Sequence, residues 1–289
     1  MAAAEPLNTV LITGGTDGLG RATALLLAEN GYRVSAAGRS PERRAQLDAY
    51  AREHRLPLET VEMDVCDDAS VARALAEVRA QAGPLDVLVN SAGIGYIAVM
   101  EELKMEHLRQ QFETNFFGVV RITQRVLPEM RERRRGRIIN MSSIAGKLSI
   151  PLFGAYSGSK FALEGMTDAL RLELYPFGVY VVLIEPGYIR TGFQDVAVEL
   201  SSPYTGGAAA SPYAAVYASF RRSWKKRTEN SSDTPEDCAR VILRALREVP
   251  PKPRYTVTRR ARGMSLAKRL LSDRALDHQV LRSFGLDRR

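Results

Sequence analysis

The sequence predicts an α/β fold: one doubly wound parallel sheet of about seven strands with helices on both faces, formed as a single domain over residues 1–289. Three observations carry this. Apolar, strand-like runs alternate with helical patterns (TVLITG, RVSAAG, LETVEM, LDVLVN, RIINMS, VYVVLIEP), and each is separated from the next by enough chain for a helix. A glycine-rich turn lies directly between the first run and the first helical pattern. No linker, internal repeat or low-complexity tract breaks the rhythm before Pro186.

After Pro186 about 45 residues of irregular composition are expected, including the turn-rich PYTGGAAASP. A helix follows from near Pro235 (DTPEDCARVILRALREV), then a short strand RYTVT, then one amphipathic helix from about Met264 to Phe284. The hydrophobic content of 45% over 289 residues is that of a globular protein with a sizeable core. The two cysteines, Cys66 and Cys238, stand far apart without ligand-spaced neighbours, so neither a disulfide framework nor a metal site is expected. The start MAAAEPLNT lacks a basic region followed by an apolar one, and no apolar run approaches the roughly 20 residues that span a bilayer. A soluble, cytoplasmic protein is expected. From Arg221 onward the chain holds 19 Lys and Arg against 8 Asp and Glu, so the net charge of +8 belongs to the C-terminal part. Such an excess reads as a solvated face or as attraction to an acidic surface; no recognition motif accompanies it, and nucleic-acid binding is not expected.

The turn LITGGTDGLG places Gly14, Gly18 and Gly20 after a strand and at the mouth of a helix. A helix N-terminus offers unpaired N–H groups and a positive dipole end to a pyrophosphate, and glycine lets the backbone approach it. This predicts a Rossmann-type nucleotide site, with Thr16, Asp17 and Leu19 in the same turn. The stretch GAYSGSKFALEG adds Tyr156 and Lys160, four positions apart and therefore on one helix face, about 6 Å along the axis. A free tyrosine has a pKa of about 10, and a cation within about 4–6 Å can lower it by about 1–3 units. Alone, the pair reads as an ordinary amphipathic helix; beside a nucleotide turn it reads as a proton-transfer group with its tuning cation.

Together, the G-x-x-x-G-x-G spacing and the Tyr156–Lys160 pair resemble the short-chain dehydrogenase/reductase family in its compact single-domain form. The resemblance runs to about Thr191 through NSAG (Asn90 to Gly93), Asn115 in TNFFG, Ser143 in NMSSIAG and EPGYIRT (Glu185 to Thr191). It implies Tyr156 as general acid/base, Lys160 as the group that lowers its pKa and holds the nicotinamide ribose, and Ser143 as hydrogen-bond partner of the substrate oxygen, with Ser142 its rival by adjacency. It implies that Asn115 anchors a water in a relay to Lys160. Asn90, Ala92 and Gly93 would line the dinucleotide, Pro186 and Gly187 would bend over the nicotinamide, and Ile189 and Thr191 would touch its carboxamide. Gly158 and Ser91 depart from the family's usual alanine and asparagine without removing a functional atom. No metal is implied, because hydride moves to or from the nicotinamide.

Preference for NAD normally places an acid at the end of the second strand. Here Ala37 and Gly38 stand there, followed by Arg39, whose guanidinium suits a 2′-phosphate, with Ser40 and Arg43 as helpers. NADP(H) is therefore expected over NAD(H), although Asp17 stands where some NADP-using relatives have a base. Asp64 and Val65 resemble the family's adenine-binding pair.

Between Tyr188 and Trp224 lie seven aromatics, of which Tyr213, Tyr217, Phe220 and Trp224 share a helical face. They read as core packing or as the inner face of a substrate lid over 188–232. Motif wording is closest to the retinol dehydrogenase and 17β-hydroxysteroid dehydrogenase branch, which implies a bulky apolar ketone, aldehyde or alcohol; a long-chain 3-keto compound also fits. The basic extension 263–289 reads as docking on its own body or a partner subunit, or as lying on an acidic membrane surface. The resemblance also implies a homo-oligomer, dimer or tetramer. Competing readings are a catalytically silent nucleotide-sensing or scaffold protein and a sugar-nucleotide epimerase or dehydratase.

Overall fold

The computed structural model describes residues 7–229 and 232–287. The start MAAAEP, residues 230–231 of the expected lid and residues 288–289 of the expected extension lie outside the described residues. In chain order the elements are β1 (Thr9–Thr13), α1 (Gly18–Glu29), β2 (Arg33–Gly38), α2 (Pro41–Glu53), β3 (Leu58–Glu62), α3 (Asp68–Ala82), β4 (Val87–Asn90) and α4 (Met105–Phe112). A π-helical turn, Glu113–Phe117, leads into α5 (Gly118–Glu132), β5 (Gly136–Met141), α6 (Gly154–Leu174) and β6 (Val179–Glu185). Then come α7 (Gly192–Leu200), α8 (Ser202–Thr205), α9 (Ala214–Glu229), α10 (Pro235–Arg247), β7 (Arg254–Thr256), α11 (Arg259–Leu270) and α12 (Asp273–Phe284).

Helix starts follow capping chemistry. Ser40 caps α2 by accepting from the Arg43 N–H, with Pro41 at the first helical position. Asp67 caps α3, and Thr234 and Asp237 form a reciprocal capping box at α10.

The seven strands form one parallel sheet in the order β3-β2-β1-β4-β5-β6-β7. Alternation along the strands sends side chains to two cores. Val10, Ile12, Val87, Val89 and Val182 pack under α1, α2 and α10, while Leu11, Leu88, Ile138 and Val181 pack under α3, α5 and the end of α6. Because the order reverses between β1 and β4, the connections leave in opposite directions there and open a crevice at the strands' C-terminal ends.

A buried polar bracket crosses the sheet beside that crevice. Asn90 donates to Asn140 Oδ1 (2.8 Å) and Thr123 (3.3 Å), Asn140 donates to Thr167 (2.9 Å), and Thr167 donates to the Leu163 carbonyl (2.7 Å). It ties β4 and β5 to α5 and α6.

The stretch of irregular composition after Pro186 folds into α7, α8 and α9. One expectation changes. The single C-terminal helix is two, α11 and α12, because Leu271 is extended and Ser272 starts a new helix by accepting from the Ala275 N–H.

Replacing Asn140 with leucine removes the acceptor of the Asn90 amide and the donor to the Thr167 hydroxyl in a buried place. Asn140→Leu is expected to lower stability by about 1–3 kcal/mol, read as a lower urea midpoint at unchanged m-value.

Candidate active site

The crevice widens into a cleft of about 630 Å³. One end holds the glycine turn and the ends of β2 and β3. The middle holds Tyr156 and Lys160, and the far end is aromatic.

At the turn, backbone approaches backbone. A Cβ at Gly20 would lie 2.1 Å from the Gly14 carbonyl oxygen, and one at Gly14, whose φ is +63°, would lie 2.9 Å from Ala92 Cα. Thr13 holds the opposite wall, its hydroxyl accepting from the N–H groups of Ser91 (3.0 Å) and Ala92 (3.1 Å). The first turn of α1, Gly18 to Gly20, lines the cleft, so a helix N-terminus is presented where a pyrophosphate needs donors.

The charged end shows how an acid and two bases coexist. Asp17 caps α1 by accepting from the Gly18 N–H (2.8 Å) and also accepts from Arg43 (2.6 Å). Arg39 is largely exposed and only loosely paired with Asp64, at 3.6 Å. A Cβ at Gly38 would lie 2.3 Å from Thr16 Oγ1, so the end of β2 has no room for a side chain. These residues fit a dinucleotide: glycine approach in the middle, guanidinium groups at the ribose end.

In the centre, α6 carries Tyr156 and Lys160. Lys160 is buried and donates to the Met141 carbonyl at the end of β5 (2.8 Å), with its Nζ 5.7 Å from the Tyr156 ring centroid. Burial pulls the Lys160 pKa down to about 8, opposed by the negative charge of Glu164 one turn along. Burial pushes Tyr156 up to about 12, opposed by its hydrogen bond with Ser143. Burial thus raises the phenol's pKa in the cofactor-free protein, where the sequence led to the expectation that it is lowered. A phenol held this high stays protonated at neutral pH. Ser143 lies beside it at the start of a short 3₁₀ turn, whereas the rival Ser142 hydroxyl is buried toward Gly146 and Glu164.

Among the residues singled out from sequence, Gly14, Thr16, Asp17, Gly18, Leu19, Gly20, Arg39, Ser40, Asp64, Val65, Ala92, Gly93, Ser143, Tyr156, Lys160, Pro186, Gly187, Ile189 and Thr191 line the cleft. Asn90 does not; its side chain is spent in the buried bracket. Asn115 does not either. From the π-helical turn its amide donates to the Ile94 carbonyl (3.0 Å) and Ser159 (3.2 Å) and accepts from the Ile94 N–H (2.9 Å), which leaves no side-chain donor for the expected water. It clamps the loop after β4 against α6, behind Gly93.

The aromatic stripe divides. Tyr217 is buried and its hydroxyl donates to Glu102 (2.7 Å) and accepts from the Val99 N–H (3.2 Å); Tyr213 reaches Glu101. These pin the lid. Phe220 and Trp224, stacked at 5.3 Å, face the cleft with Tyr188, Phe193 and two residues the sequence reading missed, Phe153 and Leu148. Phe284, at the end of α12, closes the chamber against Phe220 (6.1 Å).

Strand order, glycine turn and the Tyr156–Lys160 pair together belong to NAD(P)-binding oxidoreductases of the Rossmann type. A family model described as short chain dehydrogenase matches residues 8–200, and the chain belongs to that family. It is 42% identical over 186 residues to 3-ketodihydrosphingosine reductase of Bacteroides thetaiotaomicron, covering 64% of this chain and 65% of that one, a little under two thirds of the relative's length. It is 36% identical over 265 residues to retinol dehydrogenase 8 of Bos taurus, covering 89% and 83%. Among solved structures it is similar to an actinorhodin polyketide ketoreductase with NADPH, at 28% identity and a TM-score of 0.76 over 92% of this chain and 99% of that one.

Lys160 titrates natively near 8 but near 10.5 when free, so between about pH 8 and 10 the unfolded chain holds a proton the native chain lacks. Its contribution to stability therefore rises with pH in that window, by at most about 1.4 kcal/mol per pH unit. Above pH 10 the raised pKa of Tyr156 acts with the opposite sign. Urea unfolding of the cofactor-free protein across this window is expected to show that rise, and Lys160→Met is expected to remove it.

Proposed function

We propose that this protein is an NADP(H)-dependent oxidoreductase acting on CH–OH donors or the corresponding ketones and aldehydes, with a bulky apolar substrate. The carrying observation is that a single cleft runs from guanidinium groups, past a Tyr156 hydroxyl beside Ser143, into an aromatic chamber. When bound, the dinucleotide would supply or accept the hydride and, when oxidised, bring a positive charge beside the phenol.

The chain's own residues do the rest. Tyr156 gives its proton to the carbonyl oxygen during reduction and recovers it during oxidation. Ser143 donates to the same oxygen as negative charge develops, help of a kind worth about 10²–10³ in rate. Lys160, fixed by Met141, holds the ribose hydroxyls, and Asn115 acts as a positioning residue that keeps Gly93 and α6 in register. Gly14, Gly18 and Gly20 take the pyrophosphate, Asp64 and Val65 the adenine, and Pro186 to Thr191 the nicotinamide. Arg39 and Ser40, with Arg43 released from Asp17, receive the 2′-phosphate; Gly38 leaves no place for a competing acid.

Phe153, Phe193, Phe220 and Trp224 offer an apolar surface suited to a steroid, a retinoid or a long-chain keto compound. The names of the relatives, a ketosphingoid reductase and a retinol dehydrogenase, agree with that class. The chain acts as one domain with a lid over 188–232 and a basic extension over 263–289. Two free thiols, one of them buried, suit the reducing cytoplasm. Exposed Phe161, Leu172 and Tyr175 on and after α6 suit self-association as a dimer or tetramer.

Tyr156→Phe is expected to keep NADPH binding, followed by cofactor fluorescence, while lowering turnover of apolar ketones about 10²–10⁴-fold; unchanged turnover overturns the assigned role. Arg39→Ala is expected to raise KM for NADPH about tenfold and leave KM for NADH unchanged, from initial rates with each cofactor. A wild-type preference for NADH overturns the cofactor assignment.

A further inference from the structure

The division of the C-terminal segment into two helices gives its halves different fates. One face of α12 docks on the body: Leu276 in its first turn and Phe284 at its end are buried, and Ser219 donates to the Phe284 carbonyl. The corner between α11 and α12 stands out from it. Leu266 is 55%, Leu270 74% and Leu271 39% exposed, all within six residues. Around them lie exposed Lys268, Arg269 and Arg274; the acid at the corner, Asp273, is already neutralised by Lys268 at 2.7 Å. About two and three turns before the corner, Met264 and Arg260 of α11 line the active-site cleft.

Single exposed leucines are ordinary on a soluble protein, but an apolar tip flanked by cations is what an anionic lipid surface selects, through apolar burial at the headgroup boundary and attraction to its negative potential. We propose that this corner docks the protein on an anionic membrane surface, with Leu266, Leu270 and Leu271 entering the lipid boundary and Arg269 and Arg274 meeting headgroups. Docking brings the α11 wall of the cleft close to the phase in which an apolar substrate dissolves; that consequence rests on the apolar-substrate reading, whereas the docking itself does not.

The experiment is co-sedimentation of the full chain with phosphatidylcholine vesicles, with and without about one quarter phosphatidylserine, at low and moderate salt. Binding to the anionic vesicles is expected, weakening as salt rises. A Leu270→Asp and Leu271→Asp double variant, and separately Arg269→Glu with Arg274→Glu, are expected to bind about tenfold or more weakly. Both variants are expected to keep wild-type NADPH binding and turnover of a short water-soluble ketone, which shows that they fold. Absence of wild-type binding to anionic vesicles, or leucine variants that bind as wild type, overturns the proposal. So does loss of an oligomer by the leucine variants in sedimentation equilibrium without any vesicle binding, since the corner would then be a contact between copies of the chain. Failure on apolar ketones alone touches the proposed function and leaves docking standing.

Discussion

The bond from Lys160 to the Met141 carbonyl sets the geometry on which the rest of the site depends. It joins the helix carrying Tyr156 to the strand end beside the sheet's reversal point, so the phenol and the glycine turn face one cleft. Desolvating an ammonium for this purpose is costly, and the surroundings offset the cost. Glu164 lies one turn away, and its carboxylate is held by Arg254 of β7 (3.1 Å), which also meets Asp168 (2.5 Å) and Glu185 (3.4 Å). Lys147 completes the cluster at 2.7 Å from the buried Glu185. Reacting groups thus stand on a scaffold braced by ions and hydrogen bonds across α6, β6 and β7.

Much of this was legible from residues alone because the signals are local. Strands of Val, Ile and Leu buried on both faces read as continuous apolar runs, and a glycine turn between strand and helix has few other uses. Tyr156 and Lys160 share a face by helical arithmetic. Burial is not local, and there the direction differs from the expectation: in the cofactor-free protein the phenol's pKa rises, because burial penalises its charged form. Asn90 and Asn115 lie off the cleft for a related reason. Each is near the site in sequence, but a strand-end side chain faces α5 and a π-turn side chain faces the loop after β4. The break at Leu271–Ser272 had a usable signal, a serine followed by an acid, which the amphipathic pattern running through it concealed.

The lid shows one sequence feature doing two jobs. Tyr213 and Tyr217 use their hydroxyls to fasten α9 and its approach to Glu101 and Glu102, and Tyr204 reaches His107 at 2.5 Å in the same manner. Farther along the same helix, Phe220 and Trp224, whose rings stack, turn their faces inward to the chamber. Polar anchors at one end leave the apolar end to pack with Phe153 and Phe284 and to line the cleft.

The contact between Gly38 and Thr16 carries a historical implication. With Thr16 Oγ1 only 2.3 Å from where a Cβ would stand, a carboxylate side chain at position 38 has to displace that of Thr16. A lineage acquiring one there must first shrink or displace the side chain at position 16, so the two sites are interdependent and the order in which they change matters.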